Sequence, residues 1–346
     1  MKKLIALLLA LTMVFTLGAC IEVLPQPTPA PTPVPTPTPE PYDAVTYLNG
    51  ENEVTVTAMP KKVVTAGPNC TEVMCLLGLA DKVIGQCMRN HSEGALESCS
   101  ALMDGIPELC GGYPTLEAVI NSGCDFLYAS SWVFSDTFKI EDLQAAGITV
   151  YVNDASTYNT LTREIRDIGA IFEVPDKAEE FISLEMTRIN SVRSVIIDAM
   201  EKAQAKLNKD KGEDEELEKV EPLKVLVLDS FIADLVYTPG SGNIENTFIR
   251  SAGGVNILAD MEQSWNAVEA VDIYKLDPDV IIIHDYPGSS YDSKVEHLKT
   301  DPTLSRMECV RDECFVRLPL EDIMPGSRAA VAVETIAAGL YPDLFK

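Results

Sequence analysis

From residue 60 onward, short apolar runs alternate with amphipathic stretches. Buried strands of a parallel sheet are apolar throughout, whereas the helices that cover them carry an apolar stripe every three to four residues. Residues 62–66 (Lys-Val-Val-Thr-Ala) therefore predict a strand, and Gly67-Pro68-Asn69 turns the chain into a helix running through Leu79. Further strands are predicted at 83–85, 125–129 and 148–152, and helices at 116–121 and 140–146. This alternation predicts a parallel sheet with helices on both faces.

Residues 175–207 then carry an unbroken helical pattern, in which Ala178, Phe181, Ile182, Ile189, Val192, Ile196, Ala199 and Ala203 recur near helical spacing. Pro175 suits a first turn, where its missing amide is not needed, and Gly212 lies beyond the end. About 30 residues at ~1.5 Å each make a rod of ~45 Å, longer than one small lobe requires. A second α/β pattern follows, with strands at 224–228 and 280–284 and helices at 244–252 and 327–340. The predicted fold is α/β, with two Rossmann-like lobes joined by one long helix and a ligand cleft between the lobes. The N-terminal lobe is placed at 43–174, the long helix with an acidic loop at 175–222, and the C-terminal lobe at 223–346.

The first 42 residues do not fit that pattern. Lys2 and Lys3 precede a 14-residue, predominantly apolar stretch at 4–17, and Leu17-Gly18-Ala19 leads to Cys20. The apolar run is short of the ~20 residues that a membrane-spanning helix needs. The segment looks like a bacterial lipobox. It implies a signal peptide at 1–19, a diacylglycerol-modified Cys20, and a chain anchored on the outer face of the cytoplasmic membrane. A plain secretory signal with a chance cysteine is the alternative. Nine prolines then alternate with other residues across 25–41. Proline locks φ and removes amide donors, so this stretch forms neither helix nor sheet. At ~3.1 Å per residue in polyproline II geometry it reaches ~50 Å, a semi-rigid tether between lipid and folded domain; residues 20–42 are read as anchor and tether.

Charge narrows the partners. The chain has 27 Lys+Arg against 53 Asp+Glu. Without Lys2 and Lys3 the balance becomes 25 against 53, or −28. Such acidity excludes nucleic acid, whose affinity rests on cations neutralising phosphates. The run at 209–221, with seven acids and three bases, reads as a solvated loop.

In open α/β sheets, ligands bind beyond the carboxyl ends of the strands. That rule selects Asn69 after the first strand, Met88 and Arg89 after the second, and Trp132 after the strand at 125–129. In the second lobe it selects Tyr237, Tyr286 and Arg328, with Trp265 just before the strand at 280–284. Trp132, Trp265, Tyr113 and Tyr286 offer flat apolar surface, with core packing as their ordinary alternative. Arg89 and Arg328 offer charge-assisted bonds to an anionic group. Of the three histidines, His284 ends a strand, where it either reaches a bound haem or serves a structural role; His91 and His297 complete the set. Three scattered histidines do not make a site for a bare transition metal.

Several stretches together resemble the substrate-binding lipoproteins of ABC importers for iron–siderophores, haem and cobalamin. They are residues 60–72, Leu77-Gly-Leu-Ala-Asp-Lys-Val-Ile-Gly85, Tyr113-Pro-Thr-Leu-Glu117, Ala252-Gly-Gly-Val-Asn256, Asp277-Pro-Asp-Val280 and Pro325-Gly-Ser-Arg328. The resemblance covers roughly 60–346. It implies a monomer that is not an enzyme and has no resident cofactor. Its ligand is a ferric chelate, haem or corrinoid, delivered to a permease driven by an ATPase. It also implies that Glu117 docks to the permease. In the second lobe the corresponding position is Arg250, and Glu245 is the substitute. An extracytoplasmic sensor and a lipoprotein hydrolase are the competing classes; the latter lacks a G-x-S-x-G elbow.

Eight cysteines remain besides Cys20. An exported protein permits disulfides, and Cys309–Cys314 and Cys87–Cys99 are the expected pairs.

Overall fold

A computed structural model describes residues 42–50, 52–209 and 218–346. Cys20, the leader, the proline tether and most of the acidic run lie outside the described residues.

A short hairpin, β1 (Val45–Asn49) and β2 (Asn52–Val56), opens the described chain. The first lobe is then built on β3 (Val63–Ala66), β4 (Val83–Cys87), β5 (Glu108–Cys110), β6 (Phe126–Ser130) and β7 (Thr149–Asn153), all parallel in the order β5-β4-β3-β6-β7. Every residue of β3 and β6 is buried, as expected of central strands covered on both faces. The hairpin covers the edge at β7. Tyr47 Oη and Asn49 Nδ2 each donate to the Val150 carbonyl at 2.6 Å, and Asn49 Oδ1 accepts from the Val152 amide at 3.0 Å. An open strand edge is thereby closed.

The long helix is Pro175–Leu207, with Pro175 in its first turn. Its buried stripe is Ala178, Ile182, Glu185, Ile189, Val192 and Ile196, the spacing of one helix face. Sequence periodicity found this stripe except for Glu185. That carboxylate accepts from the Ala330 amide at 2.8 Å, at the start of the helix Ala329–Leu340, where helix amides lack partners.

The second lobe has a parallel sheet of β8 (Leu223–Leu228), β11 (Gly254–Asn256), β13 (Val280–Asp285) and β14 (Phe315–Pro319), ordered β11-β8-β13-β14. It also has an antiparallel ribbon that the sequence pattern did not predict: β9 (Ser230–Ile232), β10 (Leu235–Pro239) and β12 (Trp265–Glu269), ordered β12-β10-β9. The largest apolar cluster is continuous from Phe126 through Ile189 on the long helix to Val225 and Ile336, so one core supports both lobes. No helix among the described residues is long and apolar enough to cross a membrane.

The eight described cysteines are free thiols, and neither expected bridge is present. Cys87 and Cys99 belong to different apolar clusters. The strand partner of Cys87 is Cys110 on β5. Cys309 lies in the helix Glu308–Arg311 and its carbonyl accepts from the Cys314 amide at 2.8 Å, so the two cysteines bracket the end of a helix. Burial pushes the thiols of Cys87 and Cys309 up to about 12, which leaves them protonated and unreactive at neutral pH.

Candidate functional site

Both parallel sheets reverse their winding, and both reversals face one cavity. In the first lobe the order changes direction between β3 and β6, and in the second between β8 and β13. Chains leaving the carboxyl ends of such a strand pair diverge and open a crevice. Ser131 and Trp132 follow β6, Asp229 follows β8 and Tyr286 follows β13; all four line a cavity of about 450 Å³. At the first reversal, Gly67 has φ +123°, and a Cβ there would stand 2.6 Å from Ser130 Oγ. Only glycine fits this turn from β3 into the helix Pro68–Leu76.

The first-lobe wall is a group of rings. Trp132 stacks on His91 with centroids 5.1 Å apart, and Tyr113 stands edge-on to both at 6.0 and 5.9 Å. Burial lowers the pKa of His91, which favours the neutral imidazole. Ser131 Oγ donates at 2.8 Å to Oδ1 of Asp154, an exposed residue directly after β7.

The second-lobe wall stands on the antiparallel ribbon. Trp265 lies flat on Tyr237, with centroids 5.1 Å apart and planes 9° apart. Pairing of Pro239 with Trp265 across β10 and β12 sets Tyr237 and Trp265 on a diagonal, which suits large rings. Tyr286 Oη donates to Asp229 Oδ2 at 3.3 Å. Leu320, Ile323 and Met324 close the cavity between the walls.

Behind the second wall is a buried ion cluster. His284 is inaccessible to solvent, with Nδ1 3.0 Å from Asp229 Oδ1 and Nε2 3.1 Å from Glu245 Oε1. Burial alone would lower its pKa, but the two carboxylates prevail and hold it at about 9. The Asp229 carboxyl, pushed up by burial, is brought below its ordinary value by its bond to His284. Lys294 donates to the His284 carbonyl at 2.7 Å and sits 4.2 Å from the centre of the Tyr286 ring.

The cavity gathers the five aromatic candidates Tyr113, Trp132, Tyr237, Trp265 and Tyr286. It does not gather the other four. Asn69 is buried beneath it, donating to Asn153 Oδ1 and to the Pro325 carbonyl, both at 2.7 Å, and so ties the lobes together. Met88 is fully buried with φ +67°. Arg89 points to a surface ion pair with Asp104. Arg328 is buried, with Nε 2.9 Å from Glu72 Oε2 and Nη1 3.0 Å from Asp322 Oδ1. Burial opposes its charge, yet these partners hold it firmly protonated. It therefore serves as a second tie between lobes rather than as a cleft cation. The two docking candidates divide as well. Glu117 is exposed in the first turn of the helix Leu116–Asn121. Glu245 is fully buried against His284 and offers no docking surface. The same contact removes His284 from ligand chemistry, because both its ring nitrogens are engaged.

Sequence reasoning passed over Asp229 and His91 as site residues. Asp229 was within reach, since it directly follows β8 and obeys the same strand-end rule as Trp132. His91 carried no local signal, because it comes four residues after β4 and reaches the cavity only through the short turn Arg89–His91. Among the described residues no group of three or more His, Cys, Asp or Glu has the arrangement of a metal site.

Comparison with known proteins agrees with this geometry. The chain is 26% identical over 297 residues to the uncharacterized ABC transporter substrate-binding lipoprotein YvrC of Bacillus subtilis, covering 85% of this chain and 84% of that protein. Its fold is similar to an ABC-type Fe3+-hydroxamate transport system protein from Saccharomonospora viridis, with a TM-score of 0.68, 20% identity, and 85% and 98% of the two chains covered. It is similar as well to a periplasmic heme binding protein from Pseudomonas aeruginosa, with a TM-score of 0.65, 18% identity, and 82% and 93% covered. Residues 63–321 match the family model described as periplasmic binding protein, and with most of its length inside that match the chain belongs to the periplasmic binding protein family.

Proposed function

We propose that this chain is the lipid-anchored substrate-binding component of an ABC importer, holding an iron–siderophore or related metal chelate, with haem or cobalamin as the alternative, in the cleft between its lobes and releasing it unchanged to a permease. The observation that carries the reading is the pair of aromatic walls, Trp132 with Tyr113 on one side and Trp265 with Tyr237 on the other, facing one cavity. Rings opposed across a cleft suit a planar or bulky apolar ligand, which they desolvate on two faces. The named relatives support it: one is an ABC transporter substrate-binding lipoprotein, one an Fe3+-hydroxamate transport protein, one a haem binder. In this reading Cys20 carries the lipid, the proline stretch lifts the domain from the membrane, and exposed Glu117 meets the permease. The domain works as a monomer.

Both tryptophans of the chain line the cavity, so intrinsic fluorescence reports occupancy directly. Titration with a ferric hydroxamate, haemin and cyanocobalamin is expected to give saturable quenching with at least one, and the complex is expected to come back chemically intact. Absence of both quenching and a thermal shift with all three would overturn the substrate class. Cys20→Ala is expected to move the protein from the membrane fraction to the medium or periplasm.

A further inference from the structure

The net charge of the ligand can be read from the cleft, given the binding role proposed for it above. Two carboxylates and one imidazole line the cavity: Asp154, Asp229 and His91. Among the described residues no lysine or arginine lines it. The nearby cations are engaged elsewhere: Arg328 with Glu72 and Asp322, Arg89 with Asp104, and Arg317 with Asp285. Lys294 is buried behind the Tyr286 ring, donating to the His284 carbonyl, and its charge adds to that of His284 in offsetting Asp229 and Glu245 from behind. Among the described residues the cavity edge therefore carries two carboxylates, Asp229 compensated from behind and Asp154 not, and no cation of its own. Asp154 is more open still, exposed and bonded by Ser131.

An anionic ligand placed here would lose water and gain no cation, while facing two carboxylates. A neutral ligand pays no such penalty. A cationic one gains from the carboxylates and from the indole faces of Trp132 and Trp265. We infer that the cleft selects a bulky metal complex carrying no net negative charge, and that Asp154 is the exposed residue that enforces the selection. Anionic chelates that carry free carboxylates or catecholates at their edge are then excluded, whatever their shape.

Isothermal titration calorimetry on the full-length mature chain tests this with four probes: neutral cyanocobalamin, cationic ferrioxamine B, haemin with its propionates, and the anionic ferric enterobactin complex. At least one of the first two is expected to bind at least about a hundredfold more tightly than either of the last two. Asp154→Asn is expected to weaken the cationic complex severalfold, and Asp154→Lys to raise affinity for an anionic complex roughly tenfold. Tight binding of haemin or ferric enterobactin by the wild type would overturn the charge inference while leaving the cleft's carrier role intact. An unchanged order of affinities in Asp154→Lys would overturn the role of Asp154. If none of the four binds, the carrier reading falls and the charge inference falls with it.

Discussion

The two lobes bring rings to the same cavity but hold them differently. In the first lobe, Trp132 and Tyr113 are 37% and 58% exposed and lean on each other and on His91. They stand on chain segments just beyond strand ends. In the second lobe, Trp265 lies flat on Tyr237 upon a three-stranded ribbon, above a buried ion cluster. The polar groups behind the walls differ too. Behind the first they are amides and hydroxyls, Asn69, Asn153 and Ser130, ending on Glu164, which burial pushes up to about 8. Behind the second they are ions. A wall fixed before the ligand arrives loses less freedom when the ligand binds. Under the proposed binding role, the second wall is expected to contribute more to affinity than the first.

The largest expected effect falls on what joins the lobes. Arg328→Ala leaves Glu72 and Asp322 buried without their cation and is expected to cost about 3–5 kcal/mol in urea unfolding. A loss below about 1 kcal/mol would show that the tie is dispensable. His284→Leu removes the cation between Asp229 and Glu245 and is expected to cost about 3 kcal/mol, again by urea midpoint. The equivalent change behind the first wall, Glu164→Gln, keeps a neutral side chain of similar shape but turns one of the two acceptors for Asn153 Nδ2 and the Asp154 amide into a donor, and is expected to cost about 1–2 kcal/mol. Comparable losses would erase the distinction between an ionic and a neutral backing.

Ligand affinity separates the walls next. Trp265→Ala is expected to weaken binding by about 2–3 kcal/mol and Trp132→Ala by about 1–2 kcal/mol, measured by calorimetry. The reverse order would contradict the assignment of the braced wall as the anchor.

pH gives a further test, with the same sign from both lobes. Glu164 has a folded pKa above the usual carboxylate value, so the folded state holds a proton that the unfolded chain releases. Its contribution is present at low pH and is lost as pH rises to about 8. His284 is held at about 9, so its contribution is complete below the ordinary imidazole range and is lost as pH rises through 9. Stability is expected to fall by roughly 5 kcal/mol between pH 6 and pH 9, about half from each group. Glu164→Gln should flatten the lower part of that fall and His284→Leu the upper part. The smallest effect belongs to Arg89→Ala. Its surface ion pair with Asp104 is worth less than about 0.5 kcal/mol, and affinity for a neutral ligand should not change.

Local patterns explain which elements were legible. The fully buried strands at 63–66, 126–130 and 280–285 write short, mostly apolar runs, and periodicity gave the long helix its bounds. The ribbon β9, β10 and β12 was not legible. β9 and β10 form a tight hairpin over Ala233-Asp234, a turn without the Asn-Gly or Gly signal that marks such loops, and β12 joins them only across the helix Ile244–Ser251 and β11, a long-range pairing with no local signature. The site divides along a similar line. A large ring just past a strand end has no buried place to go, and Trp132 and Tyr286 obeyed the rule. Arg328 stood at an equally suggestive position but met Glu72, 256 residues away in sequence.

The α/β class, the long helix and the aromatic character of the cleft were all written in the chain's local order of residues. All of these rest on local composition and on periodicity within single elements. Only the tertiary structure decided where the charges go. A buried ion must find its partner wherever the fold places one, so Arg328 and His284 were drawn into Glu72, Asp229 and Glu245. The cleft was left with rings and carboxylates instead of the arginines its strand-end positions had promised.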